Sequence, residues 1–384
     1  MKKILFVLPW LKLGGLERVQ VNIANALAER GYDVTVMALE PENDLQSELS
    51  DKVHYVYKPY KPHPIMRRIP YIRNKFYDDG MWETRAPAKK LYKYYVGNER
   101  YDVEIGFFRG LSIKIISGST NKNSVKLAWV HNDFRKATGY KNNFKDMQAV
   151  KSAYGKFDKV VCVSREAKEG FKEVIGDTGN LITVYNVLPI EQIIAQSEKE
   201  PEVQIPKSKF NIVLVGRLLD SAKGQVRLIN AVSRLYNEEY ELSLTLVGGG
   251  PDEQKIKDEI KSNSAENYIF MAGSQVNPYP YIKNSDLLVC ASYFEGYNLT
   301  VAEALILGVP VLSTNCTGPN EILDNGNYGM IVENSEEGLY KGLKALLDNP
   351  EKMQYYKGKA HERLDFFNEE KIINCITRAI EYNA

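Results

Sequence analysis

The sequence predicts a chain of two doubly wound α/β domains, and three observations predict it. Short apolar runs of strand length alternate with segments of helical period through both halves, as in parallel sheets covered by helices on each face. The alternation breaks at a polar stretch bracketed by Pro189 and Pro206, which reads as a linker, and then restarts. Charge divides at the same place: residues 1–190 hold 31 Lys/Arg against 21 Asp/Glu, and the remainder holds 19 against 28. A chain of 384 residues has length for roughly two to three domains, and the boundaries expected are 1–190, 191–365 and a terminal piece, 366–384.

In the first half, strands are expected at 3–8, 34–39, 103–108, 125–130 and 159–163. A helix over 17–30 carries Val19, Ile23, Ala26 and Leu27 on one face and stops at Gly31. In the second half, strands are expected at 211–215, 243–247, 268–271, 287–290 and 309–313, with final helices over 351–364 and 369–382. Doubly wound sheets bind ligands outside the carboxyl ends of their strands, so the loops that leave those ends are where function is sought.

The excess of cations before residue 190 points to an anionic partner for that half. Cys162, Cys290, Cys316 and Cys375 show no CxxC spacing and read as buried, reduced thiols of a cytoplasmic protein. Met1-Lys2-Lys3 followed by an apolar run imitates a secretion signal, but Pro9 and Lys12 cut it short, so a first strand is the better account. No run approaches the roughly 18 apolar residues of a membrane span.

The most informative stretch is Ser292-Tyr293-Phe294-Glu295-Gly296-Tyr297-Asn298-Leu299-Thr300-Val301-Ala302-Glu303-Ala304, followed by Gly308-Val309-Pro310-Val311 and Thr317-Gly318-Pro319-Asn320-Glu321. It places Glu295 in a loop after the strand 287–290 and Glu303 inside a helix over 299–307. The two carboxylates can therefore bracket one ligand from different elements. Ionised carboxylates only accept hydrogen bonds, which suits the vicinal hydroxyls of a sugar or a ribose. The start of the helix offers N–H groups to a phosphate.

This stretch resembles the donor-site signature of glycosyltransferase family 4. The resemblance implies the GT-B fold: two Rossmann-like domains facing across a cleft, with the last helix crossing back onto the N-terminal domain. It also implies that Glu295 binds donor-hexose hydroxyls, that Glu303 binds the ribose, and that Gly296, Tyr297, Asn298, Leu299 and Thr300 approach the sugar and diphosphate. Upstream, Gly216-Arg217 closes a strand and Lys223-Gly224 precedes a helix, matching the family's phosphate-binding arginine and lysine. Two fixed cations can neutralise a leaving diphosphate where other folds use a metal held by Asp-x-Asp, a triplet this chain lacks; no metal or other cofactor is expected. Gly249, in Val247-Gly248-Gly249-Gly250-Pro251, allows backbone close to a nucleotide or simply makes a turn. Val276 falls where the family contacts the base. Two departures from the family pattern are Asn298, where hexose choice could change, and Pro319, which removes an amide donor.

In the first half, Gly14-Gly15-Leu16-Glu17-Arg18 joins the first strand to the first helix without the GxGxxG of a nicotinamide site. The resemblance places Gly15 by the donor diphosphate and Gly14 by the acceptor. His131 follows the strand 125–130; in the family a histidine here contacts the hexose near the reaction centre, and Asp133 would orient it or cap the next segment. Arg109, after another strand, is a candidate for an acceptor phosphate. The segment 58–93 interleaves ten Lys/Arg with aromatic residues, fitting anionic membrane headgroups, a polyprenyl-diphosphate acceptor, or merely solvated helices; no nucleic-acid motif accompanies it.

The expectation is a retaining transferase that moves a hexose or N-acetylhexosamine from a nucleoside diphosphate, UDP first among the donors, to a glycan or lipid-linked glycan in cell-surface polysaccharide synthesis. Its catalytic residues would be His131, Glu295, Arg217 and Lys223. It would work in the cytoplasm or against the inner face of the membrane. The alternatives are a nucleotide-sugar epimerase of the same fold and a non-catalytic partner subunit.

Overall fold

The computed structural model describes residues 1–59, 81–137 and 139–381. The chain divides into two units, Met1–Val187 with Glu370–Ala384, and Leu188–Glu369. Each has its own core, the first around residues such as Leu91, Tyr154 and Phe171, the second around Leu228, Leu244 and Leu339. Most of the basic segment, 60–80, lies outside the described residues.

The first unit is built on β1 (Lys3–Leu8), β2 (Asp33–Ala38), β3 (Val53–Tyr57), β4 (Val103–Gly106), β5 (Val125–Val130), β6 (Lys159–Cys162) and β7 (Leu181–Thr183), ordered β3-β2-β1-β4-β5-β6-β7. The second is built on β8 (Phe210–Val215), β9 (Leu242–Val247), β10 (Ile269–Gly273), β11 (Leu287–Cys290), β12 (Val311–Thr314) and β13 (Met330–Val332), ordered β10-β9-β8-β11-β12-β13. All neighbouring pairs are parallel. Parallel strands covered on both faces are buried along their length, and β4, β9 and β11 are buried at every position, with Glu104, Ser243 and Thr245 as polar residues among apolar ones. Strand order reverses between β1 and β4 in one sheet and between β8 and β11 in the other, so each sheet opens a crevice at its carboxyl edge there.

Ten expected strands are present within one or two residues of their expected limits. The three unanticipated ones, β3, β7 and β13, all lie at or beside sheet edges. β3 is largely exposed and the other two are three residues long, so none carries a full apolar pattern. The helix Gly15–Glu29 buries Val19, Ile23, Ala24 and Leu27, and Gly31 beyond it adopts φ +86°.

The expected linker is corrected in part: Ile190–Ser197 is a helix. Pro189 stands at its N-terminus, where a missing N–H costs nothing, and Ile193 is buried. The Asn277 amide fastens it to the second unit through Gln196 O at 2.8 Å. Accordingly the division between units falls at Val187, three residues before the expected boundary.

The helix Glu369–Ile380 buries Ile372, Ile373, Ile376 and Ile380 and belongs, from Glu370, to the first unit. Arg30 Nη1 donates to Asn374 Oδ1 at 2.8 Å, while Glu381 accepts from Lys2 Nζ at 2.6 Å and Tyr32 Oη at 2.8 Å. The expected terminus of that helix, residue 382, lies outside the described residues. Among the described residues no helix is long and apolar enough to cross a membrane.

Within the first core, Glu104 of β4 is fully buried and its Oε1 accepts a 2.6 Å hydrogen bond from Tyr92 Oη, while its Oε2 has no partner among the described residues. Burial first, and then the Glu104 bond, push the Tyr92 phenol far above its ordinary pKa. Tyr92→Phe takes away this donor, and we expect the unfolding free energy of the first unit, measured by urea titration, to fall by about 1–3 kcal/mol.

Candidate active site

At the crevice of the second sheet, two loops are locked together by backbone. The loop leaving β8 runs through Gly216 and Arg217 into a short helix, Asp220–Lys223, and turns at Gly224 with φ +67°. A Cβ at 224 would collide with the Ala291 carbonyl. Tyr293 N donates to Ala222 O at 2.9 Å. Arg227 Nε donates to Ala291 O at 3.0 Å, and its guanidinium lies 3.8 Å over the Tyr293 ring. The loop after β11 is thereby held against Lys223.

Lys223 Nζ is consequently 2.6 Å from Glu295 Oε1. Ser292 Oγ donates to the same oxygen at 2.6 Å and Asn298 Nδ2 at 3.2 Å. Three donors thus converge on Oε1, and Oε2 has no protein partner among the described residues. Burial opposes the Lys223 charge, but Glu295 outweighs it and raises the ammonium pKa.

Asn298 organises the rest of the loop. It adopts φ +74°, which asparagine tolerates, and its Oδ1 accepts from Val301 N at 3.1 Å, capping the helix Leu299–Ile306. Thr300 Oγ1 also donates to that oxygen at 2.9 Å, and Nδ2 reaches Cys290 Sγ at 3.1 Å. The side chain read from sequence as a determinant of hexose choice is therefore committed to protein contacts on both its atoms. Behind it, Gly318 adopts φ +88°, and a Cβ there would lie 2.5 Å from Tyr297 O.

Glu303 is buried in the capped helix. Gly296, Tyr297, Leu299 and Thr300 share its N-terminal approach with Glu295. Arg217 is exposed and without an ion pair among the described residues. Gly216 and Gly248 pack backbone to backbone, and Gly249 abuts Ser274, so the glycine run after β9 is required by close approach. Val276, after β10, is an exposed apolar side chain.

In the first unit, His131 follows β5. Its Nε2 lies 2.9 Å from Phe107 O. A carbonyl oxygen can only accept, so Nε2 carries the proton and Nδ1 presents a lone pair; Nδ1 is buried and has no partner among the described residues. Burial drives the His131 pKa down to about 3, the Phe107 bond opposing and the Arg109 charge assisting. The imidazole is thus a neutral acceptor. Of the two roles expected for Asp133, orienting His131 falls instead to Phe107, whereas Asp133 Oδ1 does accept from Arg135 N of the next segment at 3.0 Å and its carboxylate takes the Arg135 fork at 2.7–3.0 Å.

Arg109 packs against Gly139, and partial desolvation lowers its pKa. Gly14 precedes the helix that Gly15 opens, and a side chain at 14 would strike the buried Glu17 carboxylate, which accepts from Trp10 Nε1 at 2.9 Å. Sequence reasoning missed Trp10 and the buried side of Glu17. The exposed Cys375 also departs from expectation, since it lies on the outer face of the last helix.

Because the unfolded imidazole titrates near 6.5 and the folded one near 3, the unfolded state binds the extra proton between those values. Stability therefore falls as pH drops through that window. We expect His131→Asn to remove a slope of up to about 1.4 kcal/mol per pH unit, read from urea unfolding at a series of acidic pH values.

The description "Glycosyltransferase Family 4" matches residues 13–192, and "Glycosyl transferases group 1" matches residues 195–363. A Haemophilus influenzae protein named as an uncharacterized glycosyltransferase is 26% identical, over 97% of this chain and 98% of its own length. A Campylobacter jejuni N-acetylgalactosamine-N,N'-diacetylbacillosaminyl-diphospho-undecaprenol 4-alpha-N-acetylgalactosaminyltransferase is 31% identical, over 49% of this chain and 50% of its own. Among solved structures, Anabaena Alr3699/HepE in complex with UDP and glucose superposes with a TM-score of 0.79 at 17% identity, covering 100% of both chains. With two parallel-sheet, Rossmann-like domains and these matches along nearly its whole length, the chain belongs to glycosyltransferase family 4, on the GT-B fold.

Proposed function

We propose that this glycosyltransferase moves a hexose or N-acetylhexosamine from a UDP-sugar to a glycan or polyprenyl-diphosphate-linked glycan, with retention at the anomeric carbon and without a metal. The observation that carries this reading is the Lys223–Glu295 pair at the crevice of the second sheet, with Glu295 Oε2 left open. Fixed by three donors on one oxygen, the carboxylate offers the other to a sugar hydroxyl at no reorganisation cost. Lys223 has three N–H groups and spends one on Glu295, which leaves donors for a diphosphate; Arg217, exposed and without an ion pair among the described residues, supplies a second cation.

His131, neutral with an open Nδ1, accepts a hexose hydroxyl and is too weak a base to deprotonate the acceptor. The proton of the incoming hydroxyl then passes to the departing diphosphate oxygen on the same face, while Lys223 and Arg217 stabilise the charge that grows there. Glu303 holds the ribose and Val276 lies against the base. Gly249, Gly296, Tyr297, Leu299 and Thr300 line the donor, with Gly15; Gly14 and Arg109 serve the acceptor. Retention is supported by the alpha linkage in the name of the Campylobacter relative, and the lipid-linked acceptor by its diphospho-undecaprenol. The UDP bound by the Anabaena neighbour favours a UDP-sugar here. The basic segment 58–93 would meet an anionic membrane at its cytoplasmic face.

Nucleotide release across a panel of donor sugars, without and then with lipid-linked acceptors, tests the reading. Glu295→Ala is expected to lower acceptor-dependent turnover by roughly 10²-fold with folding intact. Undiminished turnover in the folded variant would remove Glu295 from the mechanism. A chelator is expected to leave the wild-type rate unchanged, and recovery of a lost rate only on adding a divalent cation would overturn the metal-free account.

A further inference from the structure

A buried lysine that the reaction does not use lies in the first unit. Lys114 belongs to the helix Leu111–Ser117, which Gly110 precedes and Gly118 follows. Its ammonium donates to three main-chain carbonyls, Glu83 O at 2.6 Å, Thr84 O at 2.8 Å and Asn143 O at 2.8 Å. All three of its N–H groups are thereby used, which is what a charge requires before it is tolerated out of water. Glu83 and Thr84 stand near the end of the helix Met81–Arg85, whose last carbonyls have no partner within the helix and attract a cation. Asn143 comes from elsewhere in the chain, the stretch between β5 and the helix Met147–Tyr154. One side chain thus ties two separate segments to a third.

The segments it ties are those that surround Arg109. Gly110, the next residue, adopts φ +79°, and a Cβ there would lie 3.3 Å from Asn142 O and 3.2 Å from Asn143 Oδ1. The Arg109 guanidinium lies against Gly139, where a Cβ would come within 2.5 Å of Nε. Asn142 N donates to Gly139 O at 3.2 Å, so the turn on which Arg109 rests leads directly into Asn143. On the other side, Gly118 packs on the Ala88 backbone at the start of the helix Ala88–Tyr95, which exposes Lys89, Lys90 and Lys93 at the described end of the basic segment.

We infer that Lys114 is a positioning residue for the acceptor: its ammonium, bonded to Glu83 O, Thr84 O and Asn143 O, fixes the place where Arg109 receives the diphosphate of a polyprenyl-linked acceptor. Without it, three carbonyl oxygens that now share one cation face each other with no proton between them. Their mutual repulsion moves the turn at Gly139 and Arg109 with it. The identity of the acceptor rests on the function proposed above; the coupling of Lys114 to Arg109 does not.

Binding, rather than turnover, reads this out. Farnesyl diphosphate, a soluble polyprenyl diphosphate, is titrated into the full chain at low ionic strength with UDP at saturation, so that the donor's diphosphate site is filled; UDP is titrated separately. Lys114→Met keeps the length of the side chain and removes its donors. It is expected to weaken farnesyl diphosphate about tenfold and to leave UDP within about twofold of the wild type. Arg109→Ala is expected to cost about tenfold by itself, and adding Lys114→Met to it should change little, because a residue that acts through Arg109 has no effect once Arg109 is gone. If circular dichroism shows Lys114→Met unfolded, Lys114→Gln, which keeps two donors, takes its place in the same titrations, with a loss of about threefold expected.

Equal losses for both ligands, or a loss undiminished in the Arg109→Ala background, would mark general damage and overturn the inference. Unchanged farnesyl diphosphate binding in the folded variant, or no saturable binding to the wild type, would overturn it as well. The coupled loss of farnesyl diphosphate in a chain that transfers sugar from no donor would sink the transferase reading and leave the role of Lys114 standing.

Discussion

The arrangement at the crevice of the second sheet depends on one ion pair, Lys223 with Glu295, formed across the reversal point of that sheet. Burial opposes the Lys223 charge, and the Glu295 carboxylate is the largest of the interactions that favour it. The pair forms because β8 and β11 are direct neighbours although β9 and β10 separate them in sequence. Loops leaving adjacent carboxyl ends are thus brought within hydrogen-bonding reach by strand order, before any side chain is chosen.

Backbone, more than side-chain packing, then sets the fine geometry. Gly224 against Ala291, Gly248 against Gly216 and Gly318 against Tyr297 are contacts that no Cβ fits. These positions explain why the glycines accompany the charged residues: they let the loops approach closely enough for the charges to meet. Arg227 completes the lock by stacking on Tyr293 while bonding the Ala291 carbonyl.

Much of the fold was legible because strands buried on both faces carry long apolar runs, as from Ile4 to Leu8 in β1 and throughout β11, and such runs stand out. What escaped was what leaves little pattern: three edge or near-edge strands, and a helix behind Pro189 whose prolines spoke for a linker. The charged residues of this crevice stood out in the sequence by their spacing and resemblance, but their mutual relation did not. Nothing in the sequence says that Lys223 bonds Glu295, or that Asn298 spends its amide on Glu295 and Cys290 and its carbonyl on a helix cap. The tautomer of His131 was equally hidden, because it is set by a backbone oxygen, Phe107 O, and not by the acidic Asp133 two residues away.

The two separate cores bear on how such chains diversify. Lys223, Glu295, Asn298 and the glycines that join their loops all lie within one uninterrupted stretch, Leu188–Glu369, whereas the last helix completes the other body. A recombination event with crossovers near those two limits would transplant this crevice whole and leave the host's hydrophobic interior untouched. Exchange that also carried away the final helix would strip the recipient of Ile372, Ile373, Ile376 and Ile380, so viable hybrids should inherit their beginning and their end from the same parent.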